Sequence, residues 1–140
     1  MALTFKYKKG PKGVYRPYIE LILSNAERFK KVACLLDSGA DTSFIPKAFA
    51  EYLNLDLSSK PEESKGVMGP FDTILSYMTV IIPKARPRII LPRVPVRVPV
   101  EDRFDPMFLI GRNGFFDEFE ITFREHKREV KLKRVQRRSY

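Results

Sequence analysis

The stretch Cys34-Leu35-Leu36-Asp37-Ser38-Gly39-Ala40-Asp41-Thr42-Ser43 constrains this chain more than any other. Residues 32–36 are a short apolar run ended by a glycine turn, which predicts a buried strand. The strand delivers Asp37 into a tight turn, where Gly39 can take a backbone conformation closed to other residues. A carboxylate at the end of a buried strand is costly unless it is paired, hydrogen-bonded or used in chemistry. Asp-Ser-Gly by itself also reads as an ordinary Asx-type turn. The remainder of the chain decides between the two.

Residues 1–13 are polar and basic, and Gly10-Pro11 and Gly13 break any element, so an extended or loose arm is expected there. Residues 18–23 and 29–36 are β-rich runs joined by Asn25-Ala26-Glu27, which predicts a hairpin whose second strand carries Asp37. After Ser43 the period changes. Pro46 suits a first helical turn, and Phe49, Tyr52 and Leu53 share one face, so a short helix over about 46–53 is expected. Residues 58–64 read as a loop. Gly66 and Gly69-Pro70 flank the apolar tip Val67-Met68, and residues 75–82 form a returning strand.

Pro87, Pro92, Pro95 and Pro99 punctuate residues 84–103. Proline removes a backbone donor, so this segment is expected to be an edge strand or extended coil, with Arg86, Arg88, Arg93 and Arg97 facing solvent. Leu109-Ile110-Gly111-Arg112-Asn113 then leads to a second short helix holding Phe115, Phe116 and Phe119. Ile121 and Phe123 open a strand that turns at Glu125-His126-Lys127. Val130 and Leu132 alternate with Lys131 and Lys133 in a final strand.

The chain of 140 residues is long enough for one domain with a real core, and its 44% hydrophobic content argues against disorder. The division read from the sequence is a basic N-terminal arm, 1–14, and a single domain, 15–140, whose basic hairpin or tail occupies about 124–140. No apolar stretch approaches the roughly 18 residues of a membrane span, and the N-terminus has no apolar core of signal-peptide type. With Cys34 the only cysteine, a cytoplasmic protein is expected. His126 is the only histidine and lies in a charged turn, so neither a metal nor another cofactor is expected. The formal net charge of +9 gathers at the two ends: Lys6, Lys8, Lys9, Lys12 and Arg16 precede any acid, and residues 124–140 hold eight Lys and Arg. Such ends could attract nucleic acid. No aromatic-interleaved pattern of a nucleic-acid module accompanies them, so that partner is not favoured.

Leu35-Leu36-Asp37-Ser38-Gly39-Ala40-Asp41-Thr42-Ser43 resembles the active-site loop of the retroviral-type (retropepsin-like) aspartic proteases. That loop is two apolar residues, Asp-Thr/Ser-Gly-Ala-Asp/Ser, and a hydroxyl-bearing segment. Leu109-Ile110-Gly111-Arg112-Asn113 is similar to the family's second hallmark, and Gly111 follows Gly39 by 72 residues. Gly66-Val67-Met68-Gly69 stands where the family carries its flap. The resemblance covers roughly residues 15–123. No N-terminal strand of the family's dimerising kind is recognisable in residues 1–13.

The resemblance implies a mostly β fold, a closed acid-protease barrel with one or two short helices. It also implies a homodimer, because only one Asp-Ser-Gly is present and Asp72-Thr73 is followed by Ile74. Asp37 would be the catalytic carboxylate of an aspartic endopeptidase, meeting Asp37 of a second copy. Ser38, Gly39 and Ala40 would support the loop. Gly39, Asp41 and Thr42, with Gly66, Val67, Met68 and Gly69 of the flap, would bind an extended peptide. Asp41 and Arg112 would form a structural ion pair, two-pointed and partly buried. Two other readings stay open: a dimeric binding or scaffold protein of the same fold with weak or no peptidase activity, and a basic nucleic-acid-binding β-protein.

Overall fold

The computed structural model describes residues 2–66, 69–103 and 106–136. In chain order the elements are β1 (Ala2–Lys6), β2 (Lys8–Lys9), β3 (Tyr15–Arg16), β4 (Tyr18–Asn25), β5 (Arg28–Leu36), β6 (Ser43–Phe44), α1 (Lys47–Tyr52), β7 (Glu62–Gly66), β8 (Gly69–Ile82), β9 (Ile89–Pro99), β10 (Leu109–Ile110), β11 (Phe119–Arg124) and β12 (Glu129–Arg134). The main sheet runs β4-β5-β10-β6-β9-β8-β7, and β8 returns to pair with β4. Six strands therefore close into a barrel, which leaves β7 as the outer strand of a projecting hairpin.

Alternation builds the core. Ile19, Leu21 and Leu23 point inward from β4, Met78, Val80 and Ile82 from β8, and Val94, Val96 and Val98 from β9; all are essentially buried. Burying each such Leu, Ile or Met side chain contributes about 1.5–3 kcal/mol. The β4–β5 hairpin forms as its sequence predicts, with Asn25 opposite Arg28 and a two-residue turn in which Ala26 takes φ 54°. Helix α1 also forms where expected. Its amide groups at Lys47 and Ala48 donate to the Asp102 carboxylate at 2.8 and 3.0 Å, a cap supplied from 55 and 54 residues away. The Asn25 side chain donates to the carbonyls of Leu53 and Asn54, fastening the other end of the helix to the hairpin tip.

Four elements depart from the sequence reading. The first residues are a strand: β1 pairs antiparallel with β12, placing Leu3 opposite Leu132 and Phe5 opposite Val130. These apolar pairs supply what the local composition concealed. Part of the expected loop at 58–64 is the strand β7, because the ladder with β8 extends down to Glu62 opposite Thr73. The proline-punctuated segment is one strand of 11 residues. It pairs with β8 along its length and with β6 only at Val96 and Arg97, so its prolines find room on a mostly open side. The second helix is reduced to a 3-10 turn at Phe116–Glu118, because Phe119 is already paired with Arg134 in β11.

β1, β12 and β11 form a separate three-stranded sheet. Lys84, just past β8, ties it to the barrel: its ammonium donates to the Thr4 carbonyl and stands 4.8 Å from the Phe5 ring centroid. No helix among the described residues is long and apolar enough to cross a membrane.

Candidate active site

The loop after β5 is shaped by the strand threaded beneath it. β10 lies between β5 and β6, parallel to β5 with Leu109 opposite Leu35 and Ile110 opposite Leu36, and antiparallel to β6 with Leu109 opposite Phe44. Residues 37–42 therefore arch from one side of β10 to the other. The Asp37 amide donates to the Ile110 carbonyl at 2.9 Å. The amides of Arg112 and Asn113 donate upward to the carbonyls of Ala40 and Asp41 at 2.9 and 2.8 Å. The Gly111 amide donates to the buried Ser43 hydroxyl at 3.0 Å. The two sequence motifs, 72 residues apart, are thus one hydrogen-bonded unit.

Within the arch, the Ala40 amide donates to the Asp37 carbonyl at 3.1 Å and the Gly39 amide to Asp37 Oδ1 at 2.9 Å. The second bond is the Asx-type turn that the sequence permits, and it holds the carboxylate at the strand end instead of letting it rotate. Asp37 is half-buried, and Ser38 and Gly39 are exposed at the tip. Asp41 and Thr42 follow on the far limb of the arch. Arg112 Nη2 stands 2.7 Å from Asp41 Oδ1, a short charge-assisted contact. It is a single contact in the open, with the side chains 60% and 76% exposed, not the two-point, partly buried pair that the sequence reading expected. Among the described residues, little covers either side chain.

The hairpin that the sequence reading takes for a flap is β7 and β8, with Gly66 opposite Gly69 at its end. Val67 and Met68 lie outside the described residues. Phe44, just past the arch, meets Phe71 of β8 edge to face, with ring centroids 6.1 Å apart, so the hairpin stems from beside the arch.

Sequence reasoning missed several neighbours. Tyr7, Arg16, Phe123 and Glu125 line a hollow of about 380 Å³ that also contains Asp37 and Ser38. Burial, then hydrogen bonding to Glu125 and its negative charge, raises the Tyr7 phenol above its ordinary range. The alternation Leu3, Phe5, Tyr7 was a signal for this strand in the first residues. Arg97 was expected in solvent; instead its guanidinium lies partly buried beside Glu62 of β7. A larger hollow, about 840 Å³, is lined by residues 54–59, Tyr77 and Arg93 and touches none of the loop residues. Among the described residues, no group of three His, Cys, Asp or Glu could hold a metal ion.

No protein-family model matches the sequence, and no curated protein does. Solved structures do. A retropepsin-like aspartic protease from Rickettsia conorii superposes with a TM-score of 0.61 at 20% identity, over 94% of this chain and 91% of that one. The EIAV protease, solved with the inhibitor HBY-793, matches 69% of this chain and 82% of its own at 23% identity, with a TM-score of 0.45. The first likeness spans nearly the whole of both molecules and includes the barrel that holds the Asp37 arch. This chain has the retropepsin-like fold.

Proposed function

We propose that the chain is an aspartic endopeptidase that works as a homodimer on extended peptide segments. The observation that carries the reading is the Asp37 arch: a half-buried carboxylate oriented by the Gly39 amide, on a loop bonded from beneath by residues 110–113. Such rigidity is what a reacting carboxylate requires, because it must hold its geometry while charge moves.

Peptide hydrolysis by carboxylates needs two of them close together with one proton between them. The ionised carboxylate takes a proton from a water as the water attacks the scissile carbonyl. The protonated one donates to the carbonyl oxygen. One chain brings one Asp-Ser-Gly, so the partner carboxylate is Asp37 of a second copy across a two-fold axis. Ser38, exposed beside Asp37, faces that axis and steadies the two arches against one another. Gly39 and Asp41 bind the peptide main chain, Thr42 lies next to them, and the hairpin ending at Gly66 and Gly69 closes over it. An extended peptide points alternate side chains to opposite walls, so selectivity comes from side pockets. A reducing compartment such as the cytoplasm suits the chain, whose single Cys34 is buried and has no cysteine to pair with.

The test is cleavage of a denatured protein mixture at acid and neutral pH, with Asp37→Asn as control. Cleavage by the wild-type chain that disappears in Asp37→Asn is the expected result. Cleavage that survives the substitution removes Asp37 from the mechanism.

A further inference from the structure

Arg97 is where the barrel leaves polar chemistry over. It lies in β9, opposite Phe44 of β6 on one side and Leu75 of β8 on the other. Its sequence neighbours Val96 and Val98 are fully buried in the core. Alternation turns Arg97 to the other face of the sheet. That face carries Phe44 and Phe71 in edge-to-face contact and, on the flap strand, Glu62.

The side chain is 27% exposed, and its two terminal nitrogens differ. Nη2 stands 3.6 Å from Glu62 Oε2, longer than a charge-assisted hydrogen bond. Nη1 is buried and has no hydrogen-bond partner among the described residues. A guanidinium cannot lose its proton to escape this, and buried donors in native proteins are normally satisfied. Glu62 does not complete the site, since its side chain is 69% exposed and its carboxylate meets only Nη2.

We propose that Arg97 is a specificity-determining residue of the peptide cleft, selecting an acidic side chain, Asp or Glu, at the position beside the Phe44–Phe71 pair. The seating of the peptide rests on the peptidase reading above. As Glu62 gives way, the guanidinium turns toward the cleft and a substrate carboxylate meets its fork at two points, giving Nη1 its acceptor and replacing the long Glu62 contact. The exposed Glu62 side chain swings into water. The aromatic pair packs against the methylene groups of the incoming residue. A neutral apolar side chain there leaves Nη1 unpaired, and a basic one meets a like charge, so the order of preference is acidic, neutral, basic.

The test uses binding, which does not need turnover. An extended apolar host peptide carries Glu or Gln at each position in turn, and its affinity for the Asp37→Asn chain is read by fluorescence polarisation. At one position the Glu peptide binds about tenfold tighter than the Gln peptide. Arg97→Met and Arg97→Gln erase that difference, with thermal melting as the control for folding. Glu62→Gln, at a largely exposed side chain, enlarges it by removing the internal competitor. An Arg97 that merely holds β7 in place produces no Glu–Gln difference and no response to Glu62→Gln. Equal binding at every position, binding of no peptide, or a preference that survives Arg97→Met overturns the proposal. If the Arg97 variants do not fold, an unchanged preference in Glu62→Gln overturns it. Cleavage by the wild-type chain is read in parallel. Cleavage with no acidic preference sinks this inference and leaves the peptidase; acid-dependent binding with no cleavage does the reverse.

Discussion

Gly111 is packed against the backbone of Thr42 so closely that a Cβ on it would stand 2.7 Å from the Thr42 carbonyl carbon. The Ala40 carbonyl oxygen would be 2.8 Å away. Backbone cannot yield as a flexible side chain can, so the glycine is required by the close crossing of the two motifs. Gly111→Ala is expected to destabilise the fold by about 1–3 kcal/mol, as overpacking does, and to displace the arch. Thermal melting gives the first effect. A variant that melts like the wild type shows that the arch and residues 111–113 are not clamped together.

The Asp41–Arg112 pair leads to a contrasting expectation. Both side chains are more than half exposed, so solvent screens their attraction despite the 2.7 Å contact. Arg112→Ala should cost less than about 1 kcal/mol of stability in the isolated chain. If the dimer proposed above covers this pair, the same variant weakens self-association far more than it weakens folding. Urea unfolding and sedimentation, run on one preparation, separate the two effects. A loss of several kcal/mol in a chain that is monomeric throughout contradicts the open geometry.

Alkaline stability follows from two buried groups. Burial pushes the Cys34 thiol from 9.0 up to about 12. Between those values the unfolded chain has released the proton and the folded chain still holds it, so stability falls as pH rises, by up to about 1.4 kcal/mol per pH unit. The contribution is complete below pH 9. Tyr7 acts in the same direction, raised by burial and then by Glu125, with its loss beginning above 10. The urea midpoint should therefore drop between roughly pH 9 and 10 in the wild type and drop less in Cys34→Ala. Parallel curves for the two proteins would mean that the thiol is not held protonated by the fold.

The proposed chemistry has its own pH signature. Activity should fall on the acid side when both members of the carboxylate pair are protonated, and on the alkaline side when both are ionised. The two limits belong to the pair and not to either residue. An optimum at roughly pH 4–6 is expected, together with inhibition by statine-like mimics of the tetrahedral intermediate and indifference to chelators. Peptidase activity peaking above pH 8 would exclude a shared-proton mechanism and leave the fold untouched.

What the sequence determined by itself is local. The β-rich runs 18–23 and 29–36, a turn between them and the Pro46 start of α1 each depend on neighbours a few residues away. Their physics is backbone sterics and periodic burial, which one strand or helix expresses alone. Gly39, by contrast, does not take the left-handed backbone that glycine favours, which among the described glycines falls at Gly13 and Gly114. The Asp37 arch and the Gly111 crossing were legible for another reason: a close-packed arrangement tolerates few residue types, and those types remain visible as motifs. Tertiary structure decided what depends on a partner far along the chain. Ala2–Lys6 becomes a strand only because Glu129–Arg134 offers it an edge with Val130 and Leu132 opposite Phe5 and Leu3. Helix α1 has no capping side chain of its own and takes Asp102 instead. Arg97 looks like its exposed neighbours Arg86, Arg88 and Arg93 in a proline-rich run. Its partial burial arises when β6 and β8 flank β9 and β7 brings Glu62 beside it. A hydrogen-bond partner or a burying surface supplied from a distant part of the chain leaves no mark on the local pattern, because the pattern records only which face a residue takes and not what will meet it there.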